Sequence, residues 1–390
     1  MDTRLVWMAL GTFAVGTGAF VIASLLPGIS GEFGVSTTQA GLLVTVFAIA
    51  YAIGTPILSA LTGGADRRSV LTASLLVYAL ASIASGLAPS YATLMLARIF
   101  MAVASGMFAA TAQGTAALMA TPDRRARAIA VIVGGTTLSV ALGAPLGAFI
   151  ANLMSWRVAF LLLGGVSLLV TAAIWAMLPK GLPGTRLGLR DRLLVVTRPG
   201  ISRALLVTVM ALAAVFTVFT YVASLARAAG LGQELLPLVL IGFGGGAVIG
   251  NYAAGRLADR FGPSRTVGWV IATVTLIMAL FSLEAHLLPA GIAGAVLVAS
   301  MVAWGFVGWG FPPAQSSYVV SLAPEVAPVS LALNASAIYA GIAFGSAIGG
   351  AWLAAAPVTD LGFLGAGLGL AALAVHTLRA PSPMLQRAKV

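Results

Sequence analysis

Gly255-Arg-Leu-Ala-Asp259-Arg-Phe-Gly262-Pro-Ser-Arg265 follows one long apolar run and precedes another, and Thr62-Gly-Gly-Ala-Asp66-Arg67-Arg68-Ser69 stands in the same setting with its aspartate 193 positions earlier. Further along, Pro122 aligns with Pro324 and Gly147 with Gly349, both pairs 202 apart. The growing offset corresponds to loop insertions. A repeat of this kind, with each signature at the end of a second span of its half, predicts two like-oriented halves related by an axis along the membrane normal.

The residues around these signatures are almost devoid of charge. Of 390 residues, 60% are hydrophobic and 8% charged, and the mean hydropathy is +1.06. A soluble domain carries roughly 25% charged residues, so this chain cannot cover a water-facing surface and lipid is its main solvent. The apolar runs are continuous and about twenty residues long, the length of a helix crossing ~30 Å of hydrocarbon. They lack the alternation of a transmembrane barrel strand. Helices also satisfy their own backbone N–H and C=O groups, as hydrocarbon requires. The 46 glycines are expected at seams where helices approach closely, notably Gly242–Gly246 and Gly341–Gly350. With no cysteine, there is neither a disulfide framework nor a thiolate metal site.

Twelve spans are expected, near 5–26, 39–61, 69–88, 92–119, 128–151, 158–178, 204–226, 235–255, 266–287, 291–312, 329–354 and 361–378. The first is too long to be a cleaved leader and is followed at once by a second. The net charge of +11 reads as topology rather than nucleic-acid binding. With the N-terminus inside, 18 of the 21 Lys and Arg residues fall in inner segments, Arg157 and Arg227 fall outside, and Arg98 lies within a span. Short-loop cations mark the cytoplasmic side, so both termini are expected there. The predicted organisation is a six-helix half over 1–178, a polar cytoplasmic linker over 179–203 and a second six-helix half over 204–390.

Gly255-x-Leu-Ala-Asp-Arg-x-Gly262 resembles the loop signature of the major facilitator superfamily, and the resemblance extends over nearly the whole chain. The first-half copy keeps Ala65-Asp66-Arg67 and has Thr62 and Ser69 in place of the glycines. From the residues themselves, Gly255 allows close helix approach, Gly262 a tight reversal, and Asp259 can accept from arginines or a helix N-terminus. Asp66, Arg67, Gly255, Asp259, Arg260, Gly262 and Arg265 are therefore expected to form a conformational gate, a clasp that holds and releases the halves. The plainer alternative is that the arginines only anchor topology. Gly143-Ala-Pro145-Leu-Gly147 is similar to the proline–glycine motif of facilitator antiporters, where the missing proline N–H bends a helix; ordinary small-residue packing is the alternative. Ala23-Ser-Leu-Leu-Pro27-Gly, Trp156-Arg157-x-x-Phe160 and Leu331-Ala-Leu-Asn334-Ala-Ser-Ala resemble the twelve-span drug–proton antiporter branch that includes sugar, purine-nucleoside and chloramphenicol exporters.

The resemblance implies a central cavity lined by the first, fourth, seventh and tenth spans. Its expected contributors are Thr17, Phe20, Arg98, Gln113, Phe216, Thr217, Phe219, Thr220, Trp304 and Trp309, with Tyr51, Asn251, Asn334 and Tyr339 from adjoining spans. Apolar walls with few polar groups suit an amphipathic small molecule. Arg98 is the one charge inside a span and so the strongest single pointer to function. It lies roughly 10 Å below the outer surface by helical rise, either contacting substrate or snorkelling and pairing structurally.

All ten acids fall in loops or near span ends. Proton antiport is what the resemblance implies; no mid-membrane carboxylate marks it, and Asp66, Glu32 and Glu284 are the edge candidates. His286 and His376 have no evident acidic partner for a metal. No cofactor is expected, and Gly242–Gly246, inside a span, cannot cradle a phosphate. The reading is a monomeric, multi-pass transporter of the bacterial inner membrane that exports drugs, nucleosides or sugars by alternating access, with small-molecule substrate, lipid and protons as partners. An importer or passive uniporter is the rival within the class. A membrane sensor or a polytopic membrane enzyme is the rival outside it, and the chain shows neither an output domain nor clustered catalytic side chains.

Overall fold

The structure is a computed structural model that describes residues 2–121, 124–184 and 194–378. Pro122, Arg186, Arg190, Arg192, Arg379, Arg387 and Lys389 lie outside the described residues, and with them part of the expected linker. Among the described residues every regular element is helical. Eleven helices are long and apolar enough to cross a bilayer, and a bent pair supplies the twelfth span.

That pair is α1 (Thr3–Phe20) and α2 (Ile22–Phe33), which meet at 49°. Together they form the first span. The helix runs on through Pro27 to Gly34, whose φ of 64° ends it in the left-handed region, so the span is longer than its apolar pattern predicts. The second to sixth spans are α3 (Thr37–Leu61), α4 (Arg67–Gly86), α5 (Tyr91–Met119), the pair α6 (Arg125–Leu138) and α7 (Ala144–Leu153), and α8 (Trp156–Met177). In the second half, the seventh span is α9 (Pro199–Phe219) with the short α10 (Val222–Ala228). The eighth and ninth are α11 (Leu236–Phe261) and α12 (Pro263–Leu287). The tenth is α13 (Ala290–Gly308) with α14 (Phe311–Leu322), the eleventh α15 (Ala327–Leu353) and the twelfth α16 (Leu361–Thr377).

Within the first half, α4 packs on α8, α3 on α5 and α1 on α6; within the second, α11 packs on α13, α9 on both α15 and α16, and α12 on α16. The halves meet along two seams, α3 against α15 and the α6–α7 span against α11. Twelve crossings place Thr3 and Thr377 on one face, together with the arginine-rich loops.

Glycines set the spacing of these contacts. In the fifth span, a Cβ on Gly135, Gly143 or Gly147 would fall 2.3 Å from Ala9 O, 2.0 Å from Thr17 Oγ1 and 2.2 Å from Val21 Cγ2 of the first span. In the eleventh, a Cβ on Gly341, Gly345 or Gly349 would fall 2.5 Å from Val209 O, 2.3 Å from Ala213 O and 2.9 Å from Thr217 O of the seventh. Gly147 and Gly349, aligned by the repeat, thus make the equivalent contact in each half. Hydrocarbon supplies no hydrophobic drive between helices, so this close approach, with the dispersion contacts it permits, is what associates them.

Two features of the signatures differ from expectation. The stretch Gly255–Phe261 is the last two turns of α11 rather than a loop. A Cβ on Gly255 would meet nothing within 4 Å, so this glycine serves no close approach here. Its helix continues because no residue before Gly262 breaks the hydrogen-bond ladder. Gly262, at φ 89°, makes the tight reversal and caps α12.

Gly250 and Gly245 of α11 separate packing from propensity. A Cβ on Gly250 would lie 1.7 Å from Phe306 O, whereas one on Gly245 meets open space. Gly250→Val is expected to lower the thermal midpoint of the detergent-solubilised protein, at an overpacking cost of about 1–3 kcal/mol or more, while Gly245→Val leaves it nearly unchanged. Equal shifts in the two variants would contradict the packing geometry.

Candidate functional site

A cavity of about 490 Å³ lies between the halves. Ten of the predicted cavity residues line it: Phe20, Tyr51, Gln113, Phe216, Phe219, Asn251, Trp304, Trp309, Asn334 and Tyr339. Thr17, Thr217 and Thr220 do not. Thr17 donates to Phe13 O at 2.8 Å and faces Gly143. Thr217 donates to Ala214 O at 2.6 Å, and Thr220 is buried at the break in the seventh span.

The aromatic wall is assembled at the two helix breaks. Phe20 ends α1 and Phe219 ends α9, and their rings meet edge to face at 6.4 Å. Phe20 also meets Trp309 at 5.6 Å. Phe219 packs on Phe243 and Trp304. Such edge-to-face pairs add roughly 0.5–1.5 kcal/mol each beyond area burial. Phe243 and Phe311 line the cavity too and were not singled out from the sequence. Phe243 sits inside the glycine run Gly242–Gly246, whose alternation of ring and small residues was the available signal. The polar lining comes from Thr12, Ser105, Gln113, Thr136 and Thr137 in the first half, and from Asn251, Thr275, Ser316 and Asn334 in the second. Asn334 is held in place by Thr208, which donates to its Oδ1 at 2.8 Å and accepts from Gln315 Nε2 at 2.9 Å. Among the described residues no Asp, Glu, Lys, Arg or His lines the cavity.

Arg98 stands behind this wall rather than in it. Its side chain is fully buried. Nη1 donates to Gly18 O at 2.7 Å, and the guanidinium lies 4.1 Å from the centre of the Phe47 ring. Nε and Nη2 have no hydrogen-bond partner. Phe47 packs on Tyr339, which stacks on Tyr51 across the interface with ring centroids 3.5 Å apart. One aromatic layer therefore separates the charge from the cavity.

The cavity is displaced toward the arginine-rich face. The lining residues of α1, α5, α6, α14 and α15 lie between mid-membrane and that face. The hydrogen bonds joining the halves, among the described residues, lie at mid-membrane or beyond it. Asn251 Nδ2 donates to Thr137 Oγ1 at 3.4 Å. Nearer the opposite face, Thr38 Oγ1 donates to Gly350 O at 3.1 Å, Ser346 Oγ to Gly41 O at 3.1 Å, and Asn152 Nδ2 to Gln233 O at 3.0 Å. Tyr221 wedges its ring between Gly41, Gly349 and Gly350 and donates to Ser346 O at 3.0 Å. These contacts close one end, and among the described residues no hydrogen bond of this set joins the halves at the other.

The proline–glycine motif belongs to the same interface. A one-turn π-bulge, Ser139–Gly143, precedes Pro145, with Ala144 N–H donating to Ser139 O. Proline has no N–H to return to the carbonyl four residues back, here Ala141. Gly244 of α11 packs against that Val140–Ala141 backbone, 2.4 Å separating its would-be Cβ from Ala141 Cα. Gly143 and Gly147 meet the first span on the other side, so the α6–α7 span is held between a bent helix and the other half.

The two signature aspartates differ from one another. Asp66 caps α4, accepting from Ser69 N at 3.1 Å and Ser69 Oγ at 2.9 Å, and from Leu182 N of the linker at 2.8 Å. Arg67 N donates to Leu182 O at 3.1 Å, and Arg67 Nη2 to Gly63 O at 3.3 Å. Slight desolvation pushes the Asp66 carboxyl up, but the hydrogen bonds from Ser69, Leu182 and Gly181 outweigh it and hold it below the ordinary carboxylate range. Asp259 is exposed on the last turns of α11. Arg260 lies over the Phe261 ring, and Arg265 is exposed on α12. Neither aspartate bridges the halves in this conformation: Asp66 fastens the linker to the first half instead.

Among the edge acids, Glu32 pairs with Arg157 at 2.7 Å and accepts from Trp156 Nε1 at 2.6 Å. This ties the Phe33 end of the first span to the sixth and gives Trp156-Arg157 a structural role. Glu284 is buried, accepting from Ser300 between the ninth and tenth spans, with Oε2 unpartnered. His286 pairs with Asp360, a partner the sequence did not suggest. No group of three or more potential metal ligands occurs among the described residues.

The family model described as Major Facilitator Superfamily matches residues 8–346. The chain belongs to this superfamily. It is thus a transporter and not an enzyme. Inner membrane transport protein YdhP of Escherichia coli K12 is 32% identical over 354 residues, covering 90% of this chain and 89% of that protein. The MFS-type transporter YbcL of Bacillus subtilis is 29% identical over 362 residues, covering 92% and 91%. The facilitator fold is shared with the crystal structure of the human organic anion transporter MFSD10, with a TM-score of 0.73, 18% identity and coverage of 96% and 99%. It is shared as well with a bacterial homologue of the human lysosomal transporter Spinster, with a TM-score of 0.74, 14% identity and coverage of 98% and 99%.

Because Asp66 fastens Leu182, Asp66→Ala is expected to release the linker. Limited proteolysis between residues 179 and 203 then proceeds faster than in the parent, alongside the modest fall in thermal midpoint that loss of the α4 cap brings. An unchanged cleavage rate would show that the linker is held by other contacts.

Proposed function

We propose that this facilitator protein exports small amphipathic molecules by alternating access. The observation that carries the reading is an aromatic-walled cavity between two like-oriented halves, with the hydrogen bonds that join them, among the described residues, at mid-membrane and toward one end. Export rather than uptake is supported by Gly143, Pro145 and Gly147, whose contacts with Thr17, Val21 and the α11 backbone place a motif resembling that of antiporters at the moving interface. The arginine-rich face is the cytoplasmic one by the short-loop charge rule, with both termini there. The name of the Escherichia coli relative supports residence in an inner membrane. The substrate belongs to the drug, nucleoside or sugar class, and protons are the proposed counter-ion. A passive uniport is the second reading, favoured by the lack of any carboxylate on the cavity wall among the described residues.

Accumulation screening in cells with and without the protein tests substrate and direction together: lower accumulation of an amphipathic compound in expressing cells is expected. Purified protein in liposomes then separates the coupled from the uncoupled form. A pH gradient drives uphill flux if protons exchange, and leaves only downhill flux if they do not.

Alternating access is tested on a chain with no native cysteine. Cysteines at Asn152 and Gln233, joined by a short thiol-reactive linker across the plugged face, are expected to abolish transport, and cleaving the linker to restore it. Full transport by the cross-linked protein would refute the rocking motion.

A further inference from the structure

The Arg98 guanidinium carries a charge that nothing near it neutralises. Arginine remains protonated in proteins, and here two of its three nitrogens lack a hydrogen-bond partner. Its neighbours are a carbonyl, the Phe47 ring and two tyrosine hydroxyls, those of Tyr78 and Tyr339. Tyr339 lines the cavity. The acids of the first half among the described residues are Asp2, Glu32 and Asp66. Each lies at a membrane face, and the latter two are bonded elsewhere. The cavity wall itself adds no charge of either sign.

We propose that Arg98 acts through the Phe47–Tyr339 layer to set the charge selectivity of the cavity, which accepts aromatic amphiphiles that are uncharged or anionic and rejects cationic ones. This rests on reading the cavity as the solute site. The aromatic faces would by themselves favour a cation, so the two effects oppose, and magnitude decides. A unit charge about 10 Å away, in a medium of effective dielectric about 20, changes binding of a charged solute by roughly tenfold. A cation–π contact at a partly hydrated site recovers less than that, about 0.5–1 kcal/mol or two- to fivefold. Arg98 is accordingly a selectivity residue that touches no solute in this conformation, which explains how a buried arginine outside the cavity wall bears on function.

The test uses the full-length protein in nanodiscs and three nitroaryl probes of one shape: 4-nitrophenyl glucoside, 4-nitrophenyl glucuronide and the ammonium form of 4-nitrophenyl glucosaminide. Quenching of Trp304 and Trp309, which line the cavity, reports binding. The glucoside and glucuronide are expected to bind at least about tenfold more tightly than the ammonium probe, a difference of about 1.4 kcal/mol. Arg98→Lys preserves that ranking; Arg98→Gln collapses it to within about threefold, by gain of the cation and loss of the anion. Glu284→Gln, which removes the buried carboxyl beyond Trp304, leaves the ranking as it was.

Binding of the ammonium probe as tight as that of the glucoside by the parent protein overturns the proposal, whether or not Arg98→Gln folds. So does a ranking that follows Glu284 instead of Arg98. Absence of quenching by all three probes overturns the cavity reading and this proposal with it. The direction of transport is measured separately by flux and leaves the binding ranking untouched.

Discussion

Close backbone approach between helices is the contact on which this molecule depends. In hydrocarbon, apolar side chains gain nothing by leaving lipid for protein, so association must come from fit. The seams Gly135–Gly143–Gly147 and Gly341–Gly345–Gly349 supply it, each laying a helix against the carbonyls and small side chains of a neighbour. The same seams run past the breaks in the first and seventh spans, at Val21 and Tyr221. Because the breaks fall at corresponding positions, Phe20 and Phe219 are carried to the middle of the molecule and meet there. The cavity's aromatic wall is thus a consequence of where the glycines sit.

Charge is distributed with equal consistency. Ionisable groups are concentrated at the two faces, where water and neighbouring backbone satisfy them. Glu32 with Arg157 and Trp156 braces one face. On the other, Arg198 pairs with Glu325, whose carboxyl its own backbone N–H and the guanidinium hold below the usual range, and Arg203 reaches Leu378 O. The cavity is left with hydroxyls, amides and rings. Were a solute to bind there as proposed, shape, a few hydrogen bonds and the field of a charge just behind the wall would recognise it.

Much of this was legible in the chain. Long uncharged runs have one stable answer in lipid, and the Asp66–Asp259 and Gly147–Gly349 correspondences expose the duplicated halves. Ten of fourteen expected cavity residues line the cavity because the spans that carry them are fixed by topology. What stayed hidden depends on side-chain direction and on helix ends. Thr17 and Thr220 sit on the correct spans and face away from the space. Arg98 was readable as the lone intramembrane charge, but its place behind Phe47 is set by the packing of α3 on α5. The end of α11 was misplaced because the charges of Arg256, Asp259 and Arg260 resemble a loop, yet nothing in them stops a helix until Gly262. The bend at Val21 has apolar residues on both sides and leaves no mark in hydropathy. The burial of Glu284, three residues from the end of α12, could not be separated from exposure at the outer surface.

The one-sided plug has an electrical consequence. A vestibule that admits electrolyte from one face to mid-membrane carries that compartment's potential inward with it, so the transmembrane voltage falls across the sealed remainder. Arg98, the eighth residue of α5 counted from the plugged end, lies in that remainder. In the alternating access proposed above, a vestibule forming on the other side would move the voltage drop and leave the guanidinium at a different fraction of it. Displacing one elementary charge through the full drop is worth about 2.3 kcal/mol per 100 mV. Under that proposal the membrane potential would act directly on the balance between the two orientations, before any solute is bound.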